Sequence, residues 1–187
     1  KAPSGPVIQE NLGKEAASRT YQDLIKNPYD EALFEFYATT QLKRTDGKTL
    51  GAAALYNSVN VSPDNRFILT DKLKKPFSYL VPANGFAKSI EILDAQTGEL
   101  VKNVAQNPST ETAPIGLDNV VDYGRSYNWR NDHPATLYYI QALDKGLSKN
   151  ESTYRDAVYT LDAPFTGEPK ELVKTKMRYR GITWGDA

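Results

Sequence analysis

Hydrophobic and polar residues along this 187-residue chain mostly alternate with period two, in short runs bounded by Pro, Gly, Asp and Asn. That is the pattern of strands joined by tight turns. In "SVNVSPDNRFILT", residues 58–70, Val59 and Val61 alternate with Ser58 and Asn60 as a half-buried strand requires. Pro63 presets φ for a turn, and Ser62 and Asp64 can hydrogen-bond nearby backbone, so the stretch predicts a hairpin. "KSIEILDA" (88–95) is expected to reverse at "QTGE", where Gly98 supplies a permissive backbone, and to return as "LVKNVA". "PATLYYIQALD" (134–144) and "DAVYTLDA" (156–163) repeat the style, with "PFTGEPKELVKT" as a turn and outer strand.

One stretch has helical period. In "KEAASRTYQDLIK", residues 14–26, Ala17, Tyr21, Leu24 and Ile25 share a face, and Asn27-Pro28 is expected to stop the helix. "ALFEFYATTQLKR" (32–44) reads as a strand closed by the turn signal Asp46-Gly47. Two segments without clear period, 74–89 and 105–126, read as loop insertions, which often build functional surfaces.

Three positions correspond in pattern: Ser62, Asn128 and Ile182 each begin a similar strand-and-turn phrase. Their spacing exceeds the roughly 40–50 residues of a compact propeller blade, so a propeller reading needs those insertions. The last phrase, "YRGITWGDA", reads as a strand whose pairing partner would lie beyond Ala187, which makes this end an expected boundary within a longer chain.

Composition narrows the function. The 23 basic and 23 acidic residues balance, which removes the electrostatic attraction that phosphate-backbone binding relies on, so nucleic acid is not expected. With no cysteine, disulfides, thiolate nucleophiles and thiolate zinc clusters are excluded, and no cofactor is expected. No run reaches the roughly 18 apolar residues of a membrane span. "KAPSGPVIQENLG" lacks the apolar centre of a signal peptide, so the compartment stays open, a periplasmic or exported protein being compatible with a signal already removed.

Longer phrases carry a family resemblance. "QENLGKEAASRTYQDLIKNPYDEALFEFYATTQL", "RFILTDKLKKPFSYLVP", "APIGLDNV", "WRNDHPATLYYIQALD", "YRDAVYTLDAPFTGEPKELVKT" and "RYRGITWGDA" resemble the N-terminal β-propeller of prolyl oligopeptidase family serine peptidases, above all the bacterial and plastid glutamyl endopeptidases. "KPFSYLVP" and "DAPFTGEP" are the specific words, whereas "PANGFAKS" and "QLKRTDGKTLGAAALYN" depart from the pattern. The resemblance implies a parent enzyme whose propeller filters peptides for a C-terminal α/β-hydrolase domain. No serine here has glycine at both −2 and +2, so the nucleophile elbow of that domain is missing.

The expected fold is therefore all-β: a partial β-propeller of about three to four blades over residues 30–187, after an extension at 1–29 carrying the short helix. Such an arc exposes blade faces and is expected to self-associate. The alternative is a stand-alone propeller that binds a peptide or carbohydrate.

Chemistry of the chain's own is sparse. The one histidine, His133, precedes Pro134 at a loop-to-strand junction and reads as a turn residue. Asp118 with Asp122, or Asp132 near Asp144, could hold a cation, but no calcium-loop pattern is present and capping of turns and strand ends is the preferred reading. Tyr138, Tyr139, Tyr159, Phe34 and Phe36 read as packing between blades rather than a ligand platform. A parent that prefers Glu must neutralise a carboxylate, which makes Arg125, Arg130, Arg155, Arg178 and Arg180 the substrate-contact candidates, although solvated strand ends are the preferred reading of them. The partners implied are a peptide substrate and the hydrolase domain.

Overall fold

A computed structural model describes residues 21, 22 and 24–185. The chain runs through one helix, α1 (Pro28–Ala38), and ten strands: β1 (Thr40–Lys43), β2 (Thr49–Ala54), β3 (Tyr56–Val61), β4 (Phe67–Leu73), β5 (Lys88–Asp94), β6 (Leu100–Asn107), β7 (Arg125–Trp129), β8 (Thr136–Ala142), β9 (Asp156–Asp162) and β10 (Lys170–Thr175). All pairing is antiparallel: a β1-β2 hairpin, a sheet ordered β3-β4-β5-β6 and a sheet ordered β7-β8-β9-β10. The protein is thus an all-β fold with one short helix.

The turns form as their residues dictate. Ser62 Oγ accepts from the Phe67 amide at 3.0 Å and donates to Asp64 at 2.6 Å, so the Ser-Pro-Asp-Asn reversal is locked by its own side chains. Asp94 does the same for the β5-β6 turn, accepting from the Gln96 and Thr97 amides at 2.8 Å each.

Between the two four-stranded sheets lies the largest core. Phe67 and Leu69 of β4 and Ile90 and Ile92 of β5 meet Trp129, Leu137, Leu161 and Phe165 from the second sheet. Phe165 stands edge-on to Phe67, with ring centres 5.0 Å apart. Backbone joins the sheets as well: Trp129 Nε1 donates to the Asn60 carbonyl at 3.0 Å, and the Asp64 amide to the Pro134 carbonyl at 3.0 Å.

Each sheet buries its second face too. Ile68 and Leu93 receive Leu50 from the β1-β2 hairpin. Tyr138, Ile140 and Val158 are covered by Tyr179, Ile182 and Trp184 from the C-terminal segment. The layers therefore follow chain order: hairpin, first sheet, second sheet, C-terminal segment.

Several sequence expectations change here. Residues 14–20 and 23 of the expected helix lie outside the described residues, and 21, 22 and 24–26 are not helical. The helix instead occupies Pro28–Ala38, where a strand was expected. Asn27-Pro28 starts a helix rather than stopping one: Asn27 Oδ1 accepts from the Tyr29 and Asp30 amides, and proline at the first helical position forfeits only a donor that has no intrahelical partner. Asp30 and Glu31 then sit favourably at the positive end of the helix dipole. Tyr29, Leu33, Phe36 and Tyr37 recur with helical spacing, while Phe34 and Phe36 on either side of Glu35 alternate as a strand would, which is why the period misled. That stripe faces solvent, so Phe36 is an exposed helix residue and not strand packing. Phe34 anchors α1, edge-on to Phe77 and Phe86 of the 74–87 insertion.

Residues 182–185, expected as a strand, are not one; Ile182 and Trp184 are held by their side chains on the second sheet. The described residues hold two four-stranded sheets and one hairpin, fewer than three or four full blades. No helix among them is long and apolar enough to cross a membrane.

Two substitutions test this packing. Ile92 is fully buried at the centre of the intersheet core, so Ile92→Ala is expected to lower unfolding stability by about 2–5 kcal/mol in urea titration. Gly98 has φ +78°, and a Cβ there would lie 2.4 Å from the Gly51 nitrogen. Gly98→Ala is expected to detach the β1-β2 hairpin, seen as loss of amide-exchange protection in residues 40–54 before the second sheet changes.

Candidate functional site: an arginine–aspartate network and an intersheet cavity

The five candidate arginines do not converge on one pocket. Three of them, Arg125, Arg155 and Arg178, close around two fully buried aspartates, Asp144 and Asp156. Arg178 Nη2 meets Asp144 Oδ2 at 2.7 Å, and its Nη1 meets Asp156 Oδ1 at 3.2 Å. It also donates to the carbonyls of Asp118 and Arg155. Arg155 Nη1 reaches the same Asp144 oxygen at 2.8 Å, and Arg125 Nη2 reaches Asp156 Oδ2 at 2.7 Å. The network straps the C-terminal segment to the strand ends of the second sheet.

Arg130 forks onto Asp132, at 3.0 Å through Nε and 2.6 Å through Nη2, and lies over the Trp184 ring at 4.3 Å from its centre. The Arg130 hydrogen bond outweighs desolvation and holds the Asp132 carboxyl at about 2. Arg180 is largely exposed and pairs with Asp118. Every candidate arginine therefore already has a carboxylate of its own chain.

The other candidates resolve in the same way. His133 Nδ1 faces Asp132 at 3.2 Å, and among the described residues no serine hydroxyl hydrogen-bonds to that ring. Asp118, Asp132 and Asp144 are all taken by arginines, and no group of three metal-ligating side chains occurs among the described residues. Tyr127, Tyr139 and Tyr159 stack across β7, β8 and β9 with ring centres 5.3 and 5.5 Å apart. Burial pushes the Tyr127 hydroxyl up to about 12. Tyr138 is buried on the opposite face against Trp184, 5.2 Å between ring centres.

What sequence reasoning missed is a cavity of about 300 Å³ at one end of the intersheet contact, with Leu69, Phe86 and Ile90 among its apolar walls and Asp71, Lys88 and Arg125 among its charged ones. Its charges come from three strands, β4, β5 and β7, that are distant in sequence. Only the i, i+2 alternation of Leu69 with Asp71, and of Lys88 with Ile90, hinted that these charges share faces with core residues.

No family model matches the chain. It is similar to two proteins named probable glutamyl endopeptidase, chloroplastic, from Oryza sativa subsp. japonica and Arabidopsis thaliana. Each is 39% identical over 191 residues, which is 98% of this chain and 20% of the relative. The chain thus spans about one fifth of the length of these relatives and is related in sequence to proteins named as peptidases. A crystal structure of an uncharacterized protein from Listeria monocytogenes EGD-e aligns at TM-score 0.37 and 12% identity, covering 70% of this chain and 35% of that one, a likeness too slight to carry an argument.

The network yields a prediction. Burial raises the Asp144 carboxyl, but hydrogen bonds from Arg178 and Arg155 overcome it and hold the group below 3.8. A depressed native value stabilises the fold above the unfolded value and loses that contribution as pH falls through the native one. Arg178→Ala is expected to cost about 3–5 kcal/mol at neutral pH, by stranding buried charge. Its stability should also fall less steeply on acidification than that of the unaltered protein, read by denaturant titration from pH 7 downward.

Proposed function

We propose that this chain is a non-catalytic part of a peptidase of the glutamyl endopeptidase type, in which it forms consecutive blades of a β-propeller that gates peptide access to an α/β-hydrolase domain. The observation that carries the reading is the 39% identity to proteins so named across 98% of this chain and 20% of theirs. Four-stranded antiparallel sheets stacked face to face in chain order are what propeller blades require, and β3 and β7, the first strand of each sheet, lie side by side. The β1-β2 hairpin and the C-terminal segment occupy the places where neighbouring blades would pack.

Catalysis belongs elsewhere in this reading. The described residues bring together no nucleophile, base and orienting acid. Of the arginines, Arg180 suits contact with a substrate carboxylate best, being largely exposed, whereas Arg125 is paired with the buried Asp156. Arg155 and Arg178 are committed to Asp144 and Asp156.

Fluorophosphonate labelling, with a Glu-peptide cleavage assay beside it, tests the reading on this chain and on the full-length protein. Label and cleavage are expected in the full-length protein alone. Activity in this chain would overturn the non-catalytic assignment, and silence in both would favour a binding propeller. In the full-length enzyme, Arg180→Ala is expected to raise KM for Glu substrates while leaving neutral substrates unchanged; equal effects on both would remove that contact.

A further inference from the structure

A second cavity, of about 380 Å³, opens between the 148–152 loop and the start of the C-terminal segment, and its charged walls are Asp118, Arg155, Lys176 and Arg178. Asp118 is answered by Arg180. Arg155 and Arg178 share Asp144 and Asp156 with Arg125, so three arginines serve two carboxylates. Lys176 is exposed and pairs with no carboxylate among the described residues. With the groups paired to the walls included, five cations meet three carboxylates, in a chain whose 23 basic and 23 acidic residues balance. Lys149 and Glu151, exposed on the adjoining loop, offset each other and line no wall. Of the two arginines in the cavity, Arg178 is fully engaged, its Nε, Nη1 and Nη2 all donating within the protein. Arg155 is not. Its Nη1 alone serves both Asp144 Oδ2, at 2.8 Å, and the Asn150 carbonyl, at 2.6 Å. Its Nε and Nη2 have no partner among the described residues, and neither is buried. The Nε–Nη2 edge is the one with which Arg130 forks onto Asp132, and it is the edge that receives two oxygens of one oxyanion.

We infer that this cavity binds a phosphate group, free or as the ester of a small molecule, with two of its oxygens on the Nε–Nη2 edge of Arg155 and a third on Lys176 Nζ. A phosphate carries close to two negative charges at neutral pH, which matches the local excess of two cations; a carboxylate brings one charge and no third oxygen. The hydroxyls of Ser148 and Ser152 already donate, to Asn119 and to the Tyr154 carbonyl, so the arginine edge and the lysine are the charged donors the cavity offers. Asp144 and the Asn150 carbonyl hold the Arg155 guanidinium in place, so little of its ordering accompanies binding. A metal cation would meet three cations against one carboxylate on these walls. The volume is at the lower end of the range for small-molecule sites and leaves room beyond the phosphate for a short organic body beside Met177.

The site needs no hydrolase domain, and its test involves no cleavage, so it stands or falls apart from the peptidase reading. The experiment is a titration of this chain with inorganic phosphate near neutral pH, followed by amide chemical shifts, beside titrations with glycerol 3-phosphate and with acetate. Ionic strength is held constant, so that general screening is not read as binding. Saturable shifts are expected at residues 148, 152, 155 and 176–178 with both phosphates, and acetate should bind about tenfold more weakly or worse. Tighter binding of glycerol 3-phosphate would assign the site to a phosphate ester, and equal or weaker binding to the free ion. Lys176→Ala should weaken phosphate binding about tenfold or more. Arg155→Lys, which keeps a charge for Asp144 but deletes the fork, should do the same, while Lys149→Ala should change nothing. Lys176 is exposed, so its variant keeps the test decisive should Arg155→Lys fail to fold. Absence of saturable shifts, acetate binding as tightly as phosphate, or an affinity for phosphate unmoved by Lys176→Ala would overturn the site; so would equal losses in Lys176→Ala and Lys149→Ala.

Discussion

One dry contact organises this chain: the face-to-face packing of two four-stranded sheets through Phe67, Leu69, Ile90 and Ile92 on one side and Trp129, Leu137, Leu161 and Phe165 on the other. A single antiparallel sheet of this size has two apolar faces here, because β4, β5, β8 and β9 are buried on both. Neither sheet is viable alone. Each needs a layer above and a layer below, and the chain supplies them in order, from the hairpin through to the C-terminal segment. The polar end of the same contact, where Asp71, Lys88 and Arg125 replace the hydrocarbon, is where the cavity opens.

The arginine–aspartate network answers a second constraint. Among the described residues the segment after β10 joins no ladder, and side chains attach it. Tyr179, Ile182 and Trp184 supply apolar area, and Arg178 supplies direction, reaching two buried carboxylates and two backbone carbonyls at once. Arginine's planar fork suits it for such bridging, where lysine would reach only one point. The same chemistry that made these arginines attractive as substrate contacts explains why several are internal fasteners: a fork built to grip a carboxylate grips one of its own chain when one is within reach.

The hairpins at 58–70 and 88–105 were legible in sequence because their signals are local: side-chain alternation, and turn residues that bond their own backbone. The strands at 134–144 and 156–163 were legible for the same reason. The helix was not, since Asn27-Pro28 is a stop signal when read from the left and a cap when read from the right, and 29–37 carries two periods at once. What separates the readings is tertiary: Phe34 finds Phe77 and Phe86, more than forty residues away. The site was illegible in the same sense. Which aspartate each arginine meets is set by strand register and by the path of the C-terminal segment, neither of which leaves a mark on spacing.

Arg125 belongs to both charged clusters: its Nη2 closes the Asp156 network under the C-terminal segment, while the residue itself lines the cavity between the sheets. Anything that draws the guanidinium toward the cavity loosens its hold on Asp156, whose other oxygen is tied to Arg178 and whose Oδ2 also accepts from the Tyr179 amide at 2.6 Å. The cavity and the outer layer of the second sheet are thereby joined through one side chain and one carboxylate. The cavity thus lies one residue away from the fastening of the C-terminal segment.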